Sequence, residues 1–479
     1  MKLNTSIFTT SAGLFLAIAA HGQPTRYNIT DLGTLGGKDS YATQITNSGI
    51  VSGHASSADG AWRAALWQKG SITDVGKFGL GGRNSIAWDV NEVGRAVGEA
   101  ETSIIDPDGE DFCGFKALGL PSTGQTCSAF VWQNGVMTPL PTLGGRNAVA
   151  NRGNNLGDAV GMAENYTRDP ACPAPQKFQF KPVLWSNGKI QELQTFPGDL
   201  SGIAFGINDN GQVVGSSGSC TEFNLNTQTS LLSKHALLWQ NGAMVNLGNL
   251  GGTGQFGGNA ALAINNQGQV IGQSDLPGDT ANHAFLWQKG VMTDLGTLPG
   301  DFLSGPLAIN DKGAVVGISI DSDFNLRAFL WQNGVMTDLN SLVGSNPAKL
   351  KLQLAEGINS RGEIIGFAVN SAGETHAYLA TPQLAIVITG PGGAVSSSNT
   401  FQTAESSIAI SAAQSTTLNA GPLTYSWTLS PGYTSAAILS GNTATPVIQF
   451  TFRGTYQFTL KVTDSTGASA TSTVTVQYV

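Results

Sequence analysis

Oxygen ligands at alternate positions occur twice in this chain. The first run is Asp106, Asp108 and Glu110 with Asp111 adjacent, and the second is Asp321, Asp323 and Asn325. Clustered carboxylate and amide oxygens suit a hard cation such as Ca2+. Neither run completes an EF-hand, so solvated acidic loops are the plain reading. Ca2+ is the one candidate cofactor. A different chemistry would pair two carboxyl groups roughly 5–9 Å apart across a glycosidic bond. The acidic residues are scattered rather than clustered, so no catalytic residue is assigned. The sequence holds neither a Gly-x-Ser-x-Gly elbow nor a His-Glu-x-x-His zinc spacing.

Seven copies of one phrase must position these groups. Each is built on a Gly-x-x-x-Gly core, whose first glycines are Gly49, Gly94, Gly157, Gly211, Gly268, Gly313 and Gly362. A period of roughly 45–60 residues made of short apolar runs signals a repeat architecture. Each copy divides into four strand-like runs, here called a to d, such as Ala328–Trp331 (c) and Val335–Leu339 (d). Trp-Gln-Asn-Gly and Trp-Gln-Lys-Gly between c and d favour tight hairpins, since both central residues tolerate positive φ. Four antiparallel strands make a blade, and seven blades make a β-propeller. The seventh copy stops after His376-Ala377-Tyr378-Leu379 and lacks run d, whereas Tyr27–Gly33 matches a d run. An N-terminal strand is therefore expected to complete the last blade and close the ring. The repeated tryptophans are expected to be core.

The phrase resembles the HAF family of bacterial extracellular repeats, seen here as His283-Ala284-Phe285 followed by Leu-Trp and Met-Thr-Asp-Leu-Gly. The triplet is altered at Arg63-Ala64-Ala65, Ser128-Ala129-Phe130, Lys181-Pro182-Val183 and Arg327-Ala328-Phe329. That resemblance implies secretion and a repeat fold and brings no activity with it. From about Leu384 the pattern changes to Ser/Thr-rich alternation. Tyr456, Phe458, Leu460 and Val462 mark one buried face, and Trp427 is a candidate core residue. Leu423–Leu429 and Gly454–Asp464 resemble a PKD-type, immunoglobulin-like domain, which implies a spacer or adhesive module. The overall expectation is all-β: a secretory leader at 1–22, a seven-bladed propeller at 23–381 and a β-sandwich at 382–479. Lys2 followed by the apolar Ile7–Ala20 has the form of a leader with a small-residue cleavage site.

Topology assigns the loops to two ends. The a–b and c–d turns, all tight, share one end. The b–c loops and the d-to-a crossovers share the other. Three long insertions, Glu99–Ser128, Ala163–Lys181 and Ser216–Lys234, are all b–c loops of blades two to four. Loops on a rigid scaffold usually carry recognition, so Asp106, Asp108, Glu110, Asp111, Arg168, Asp169, Glu222, Asp321 and Asp323 are the candidate ligand-binding residues. Asp106, Asp108, Glu110, Asp321, Asp323 and Asn325 are the candidate metal ligands. All four cysteines lie in the insertions. Proximity suggests Cys113–Cys127 and Cys172–Cys220, although four cysteines allow three connectivities. His235, His283 and His376 repeat one position ahead of run c and read as structural. The a–b turn Asn residues (Asn91, Asn154, Asn208, Asn265, Asn310, Asn359; Thr46 in the first blade) read as turn residues.

A net charge of −8 without a Lys/Arg cluster excludes broad attraction to nucleic acid or anionic lipid. No stretch after the leader has the ~20 apolar residues of a membrane helix. Together these readings point to a monomeric, secreted, extracellular or periplasmic binding or adhesion protein, non-catalytic, that recognises a cell-surface or matrix glycan or protein. The alternatives are a structural envelope or matrix component and, less favoured, a polysaccharide-degrading hydrolase or lyase.

Overall fold

The computed structural model describes residues 25–479 apart from 117–122, 225–228, 385, 395, 397, 416, 418–421, 434–435, 466 and 468. Residues 1–22, expected to be a secretory leader, lie outside the described residues. Seven antiparallel a-b-c-d units form a ring; blades five and six are joined into one eight-stranded sheet by a parallel pair, Asn282 with Leu303, and blade seven carries Val343–Ser345 as a fifth strand, parallel to Tyr27–Asp31. Blade one shows the pattern with Gly36–Ile45, Val51–Ser57, Trp62–Gln68 and Ser71–Asp74. The a strands of blades two to seven are Gly81–Val90, Ala148–Gly153, Ser201–Ile207, Ala260–Ile264, Asp301–Ile309 and Lys351–Ile358. Their C-terminal ends line one axial cavity together, which places run a innermost.

The ring is closed by the N-terminus. Tyr27–Asp31 pairs antiparallel with Thr375–Pro382, with Asp31 opposite Tyr378, and supplies the missing fourth strand of blade seven. Tyr27 and Ile29 are buried in the core shared by blades six and seven. Full burial of two such side chains is worth about 3–6 kcal/mol. His376 Nδ1 lies 2.7 Å from Asp31 Oδ2 across this seam. His283 faces Asp294 in the same way at 3.0 Å. In blade one, where the triplet is Arg-Ala-Ala, Arg63 reaches Asp74 instead, at 3.1 Å. In these three blades the first residue of the triplet ties strand c to the Asp of strand d, whereas His235 and Arg327 reach Asp199 and Asp301 near the start of strand a instead.

The Gly-x-x-x-Gly core has a common cause in every blade. Each a strand carries a β-bulge two or three residues before its end, which slips the a–b register by one residue. The second glycine pairs with the residue just before that bulge. A Cβ at Gly272 would lie 2.0 Å from the Ala260 carbonyl oxygen and 2.5 Å from the Phe285 ring. The other six second glycines face a strand-a carbonyl at 1.9–2.1 Å in the same way. The first glycine ends the a–b turn at positive φ, +71° to +93°, where a side chain is strained.

The a–b turn asparagines do two jobs. Each side-chain oxygen accepts N–H groups two and four residues on, as Asn265 does from Gln267 (3.1 Å) and Gln269 (2.9 Å). Each Nδ2 also donates to the main-chain oxygen at the same position in the next blade: Asn91 to Asn154, Asn154 to Asn208, Asn208 to Asn265, Asn265 to Asn310, Asn310 to Asn359 and Asn359 to Thr46. Thr46 interrupts this belt. There Glu92 substitutes, accepting from Asn47 N (2.6 Å) and Ser48 N (3.0 Å).

Trp67, Trp185 and Trp239 are buried between blades, whereas Trp132, Trp287 and Trp331 are only half-buried. The expectation of core tryptophans therefore holds for half the ring. The insertion Ser216–Lys234 was expected as a loop and is mainly hairpin, because strands Val213–Asn224 and Thr229–Gln240 extend blade four beyond its neighbours.

After the ring comes a β-sandwich. One sheet holds Thr400–Thr403, Ser469–Tyr478, Gly454–Thr463 and Thr424–Leu429, and the other holds Ser407–Ala409, Val447–Phe450 and Ala436–Leu439. Tyr456, Phe458, Leu460 and Val462 point inward in strict alternation. Trp427 is buried among them and donates its Nε1–H to Thr443 O at 3.1 Å.

Candidate functional site

The three insertions meet at the b–c end and weld blades two, three and four together. Strand b of blade two runs to Ile105 and strand c resumes at Gln125, while in blade three the turn spans residues 169–177 between Ala159–Arg168 and Phe178–Ser186. Both disulfides, Cys113–Cys127 and Cys172–Cys220, are formed. The second joins blade three to blade four. Beneath them Phe112, Phe180, Met162, Ile203, Trp88 and Phe205 pack into one apolar cluster with the four sulfurs.

The acidic residues serve this weld. Asn147, fully buried at the start of blade three, directs its Nδ2 at Asp106 (3.1 Å), Glu110 (3.4 Å) and Glu164 (2.8 Å). Glu110 also accepts from Lys177 N (2.6 Å) and Phe178 N (3.3 Å), which carries the blade-two loop onto blade three. Gln176 donates to the other oxygen of Glu164 at 3.0 Å. Burial, then the hydrogen bond and charge of Glu110, push Glu164 up to about 9, so its carboxyl is protonated at neutral pH. Burial also raises Glu110. Glu99 lies under the Cys127 sulfur at 3.8 Å, and burial raises it well above the usual carboxylate range.

The structure therefore separates the sequence-selected residues. Asp106, Glu110 and Asp169 are buried, so their carboxylates face the protein interior. Asp108 is half-buried between Lys177 (3.9 Å) and Arg146 (3.8 Å). Asp111 is half-buried, accepts from Lys116 N at 3.3 Å and is raised by burial. Asp321 caps its own turn, accepting from Asp323 N, Asn325 N and Asn325 Nδ2, each at 2.9 Å. The Asn325 side chain and the turn N–H groups hold it below the usual range. Asp323 and Asn325 are exposed on the same turn, several blades from the weld. Arg168 is exposed, with its guanidinium 5.7 Å from the Phe178 ring. Glu222 lies on strand Val213–Asn224, but its side chain is outside the described residues. Within both acidic runs the oxygens are thus engaged largely by N–H donors of the chain itself.

What the b–c end does present is apolar and aromatic. Ile104, Ile105 and Tyr166 are 57–64% exposed at the ends of the blade-two and blade-three b strands, beside Arg168. Phe256, on a crossover, and Phe324, on the blade-six turn, are exposed at the same end. Sequence reasoning looked for carboxylates here and passed over this group. The signal was available in Ile104-Ile105 and Tyr166, apolar residues continuing beyond the blade period into insertions.

A second group was missed entirely. Asp89 and Arg152, at the bulges of two a strands, line the axial cavity, and Glu356 lies at the bulge of a third.

Fold and face together define a class: a seven-bladed β-propeller with one elaborated end, followed by a PKD-type sandwich. Residues 397–477 match a family described as a PKD domain. Residues 199–381 match a family described as a protein of unknown function, DUF3466. No curated protein matches the chain significantly. Among solved structures the chain is similar to the PKD domain of the KIAA 1837 protein, at 22% identity over 16% of this chain and 76% of that one, with a TM-score of 0.15. It is also similar to the β-propeller domain of the trilobed protease from Pyrococcus furiosus, at 10% identity over 62% and 81% of the two chains, TM-score 0.39. A third is the WD40 β-propeller domain of Doa1, at 15% identity over 73% and 96%, TM-score 0.39. Among the described residues no helix is long and apolar enough to cross a membrane.

Proposed function

We propose that this chain is a secreted, non-catalytic binding or adhesion protein whose b–c face recognises a cell-surface or matrix glycan or protein. The PKD-type domain acts as spacer or second contact. In this reading residues 1–22 are an export leader, the ring belongs to the HAF-type repeats and the protein works as a monomer outside the cytoplasm. The observation that carries it is the weld. Two disulfides and a buried carboxyl network hold three blades as one rigid platform, and that platform exposes Ile104, Ile105, Tyr166 and Arg168. Aromatic and Arg side chains on a preorganised surface are the usual anchors of recognition. Disulfides also suit an oxidising compartment.

The test is binding of the full chain to a panel of polysaccharides and envelope fractions, with and without EDTA. Saturable binding lost in Tyr166→Ala and Arg168→Ala supports the face. Sensitivity to EDTA would bring Ca2+ at the Asp106 or Asp321 run into the reading. No saturable binding, with no release of reducing ends, would replace it by a structural envelope or matrix role. Release of reducing ends would replace it by catalysis.

A further inference from the structure

Carboxylate spacing along the blade-two insertion suggests a surface that attracts cations, and folding reverses that sign. Asp106, Glu110 and Asp169 are buried, and each accepts from N–H groups of the chain: Asp106 from Asp108 N (2.8 Å), Glu110 from Lys177 N (2.6 Å) and Asp169 from Ala171 N (2.9 Å). Glu164 is buried too and keeps its proton at neutral pH. Beside Tyr166 and the two isoleucines, what reaches the surface of the weld is cationic. Arg146 and Arg168 are exposed, and the Lys177 side chain is 37% exposed. These cations come from the entry to blade three, the end of its strand b and the approach to its strand c. No Lys/Arg run marks them along the sequence, and only the fold assembles them.

The three are also poorly neutralised. Elsewhere at this end Arg63 is paired with Asp59 at 2.7 Å and with Asp74 at 3.1 Å, and Arg327 with Asp301 at 2.5 Å. At the weld, Arg146 and Lys177 share a single half-buried carboxylate, Asp108, at 3.8 and 3.9 Å. Those distances lie beyond hydrogen-bond reach, so the Arg146 fork is left facing solvent. Arg168 makes no ion pair among the described residues, and its guanidinium lies 5.7 Å from the Phe178 ring. Phe178 gathers the group. Tyr166 meets it edge-on with ring centroids 5.8 Å apart, and Lys177 directly precedes it. On the other side Tyr166 borders the Gly144–Arg146 entry, since a Cβ at Gly144 would lie 4.0 Å from its ring.

We propose that this part of the b–c face is selective for an acidic polysaccharide of the uronic-acid class, with Arg146, Arg168 and Lys177 meeting its carboxylates and Tyr166 stacking on a sugar ring. The proposal rests on the function proposed above and narrows its ligand. Guanidinium forks match carboxylates in geometry as well as charge. A polyuronate repeats a carboxylate beside an apolar ring face, the same pairing that the cations make with Tyr166. A neutral glycan would leave the three cations without partners. An acidic protein fits less well, because Ile104, Ile105 and Tyr166 project into solvent at 57–64% exposure, whereas protein anchors are buried in pockets. With a chain charge of −8 there is no long-range pull on an anion, so the attraction is local to this patch.

The experiment is calorimetric titration of the full, non-reduced chain, in EDTA, with polygalacturonate and with alginate. The same polymers after chemical reduction of their carboxyl groups, and poly-L-glutamate, are the controls. Saturable binding of a polyuronate is expected, weaker by at least about tenfold for the carboxyl-reduced polymer, for polyglutamate and for the double variant Arg146→Gln with Lys177→Gln. Arg168→Gln breaks no ion pair and should weaken binding likewise, which keeps the test valid even where the double variant fails to fold. The proposal is overturned if neither polyuronate binds, if the carboxyl-reduced polymer binds equally well, or if both sets of Gln substitutions bind as wild type does. Equal binding of polyglutamate would overturn it in favour of an acidic protein. A neutral polysaccharide that binds and is released by Tyr166→Ala would keep the b–c face and sink only its selectivity for acids, whereas no binding of any fraction sinks both.

Discussion

Replacing Glu164 with Gln should flatten the pH dependence of folding stability. The folded protein holds this carboxyl protonated up to about pH 9, whereas in the unfolded chain it ionises near pH 4.3. Between those values the unfolded state has released a proton that the folded state retains. Stability from this group is therefore full below about pH 4.3 and falls as pH rises, by up to about 1.4 kcal/mol per unit. From pH 5.5 to 8.5 the loss reaches about 4 kcal/mol. Glu164 is 1% exposed, so solvent screening offers little relief. Gln cannot ionise; it keeps the acceptor for Asn147 and offers Glu110 an N–H, but it loses the acceptor for Gln176, a cost of about 1 kcal/mol. The variant should be about 1 kcal/mol less stable than wild type near pH 5.5 and exceed it by about 3 kcal/mol at pH 8.5. Urea unfolding of the non-reduced protein at the two pH values reads this through tryptophan fluorescence, since eight of the nine tryptophans lie in the ring. Parallel pH profiles for the two proteins would refute the argument. So would a variant less stable than wild type at both pH values.

Three further outcomes are expected. Gly272→Ala, whose Cβ would meet the Ala260 carbonyl at 2.0 Å, should cost about 3 kcal/mol. Gly290→Ala, in open space at φ +85°, should cost about 1–2 kcal/mol; thermal unfolding gives the ranking, and equal losses would discount the bulge. Removing Tyr27–Asp31 should bare the edge of Thr375–Pro382 and convert the protein to aggregates or strand-swapped oligomers by light scattering, whereas an unchanged monomer would show that closure is dispensable. Cys172→Ser with Cys220→Ser opens a 48-residue span and should lower stability by about 4 kcal/mol in the chain-entropy model; the shorter Cys113–Cys127 span, 14 residues, should cost about 3 kcal/mol.

The ring was legible because its evidence repeats. Seven glycine pairs, the c–d turns and the missing last strand all follow the chain, so aligning the copies suffices. The bulge was not legible, since a register slip is a relation between two strands and leaves no local mark beyond the glycine it requires. The acidic run Asp106–Glu110 shows a second limit. Its alternation suited a hard cation or a solvated loop, whereas Asp106 and Glu110 turn toward Asn147 and Lys177, which belong to another blade. Spacing along one loop says nothing about donors 37 and 67 residues away. The charges at the bulges were missed because the search ran loop by loop. Comparing Trp88-Asp89-Val90, Asn151-Arg152-Gly153 and Glu356-Gly357-Ile358 with Leu262-Ala263-Ile264 at one column would have exposed them.

Broken symmetry alone does not mark a site, and the three breaks in this ring differ in how they are resolved. Thr46 interrupts the asparagine belt, but its hydroxyl accepts the Ile50 N–H at 2.9 Å and Glu92 takes two backbone donors across the gap. That break is closed by the chain. Glu164 is the strand-b position filled by Glu101 in blade two and Asp275 in blade five, and it differs by having Glu110 against it. Asn147, Gln176 and a retained proton close that break too. Glu356 is otherwise. A half-buried ionisable group at the bulge carries a desolvation cost that Leu262 and Leu307 avoid at the same position of their strands. Its compensation among the described residues is only the distant charge of Arg152. Unfinished compensation, rather than asymmetry, is what separates Glu356 from the other two.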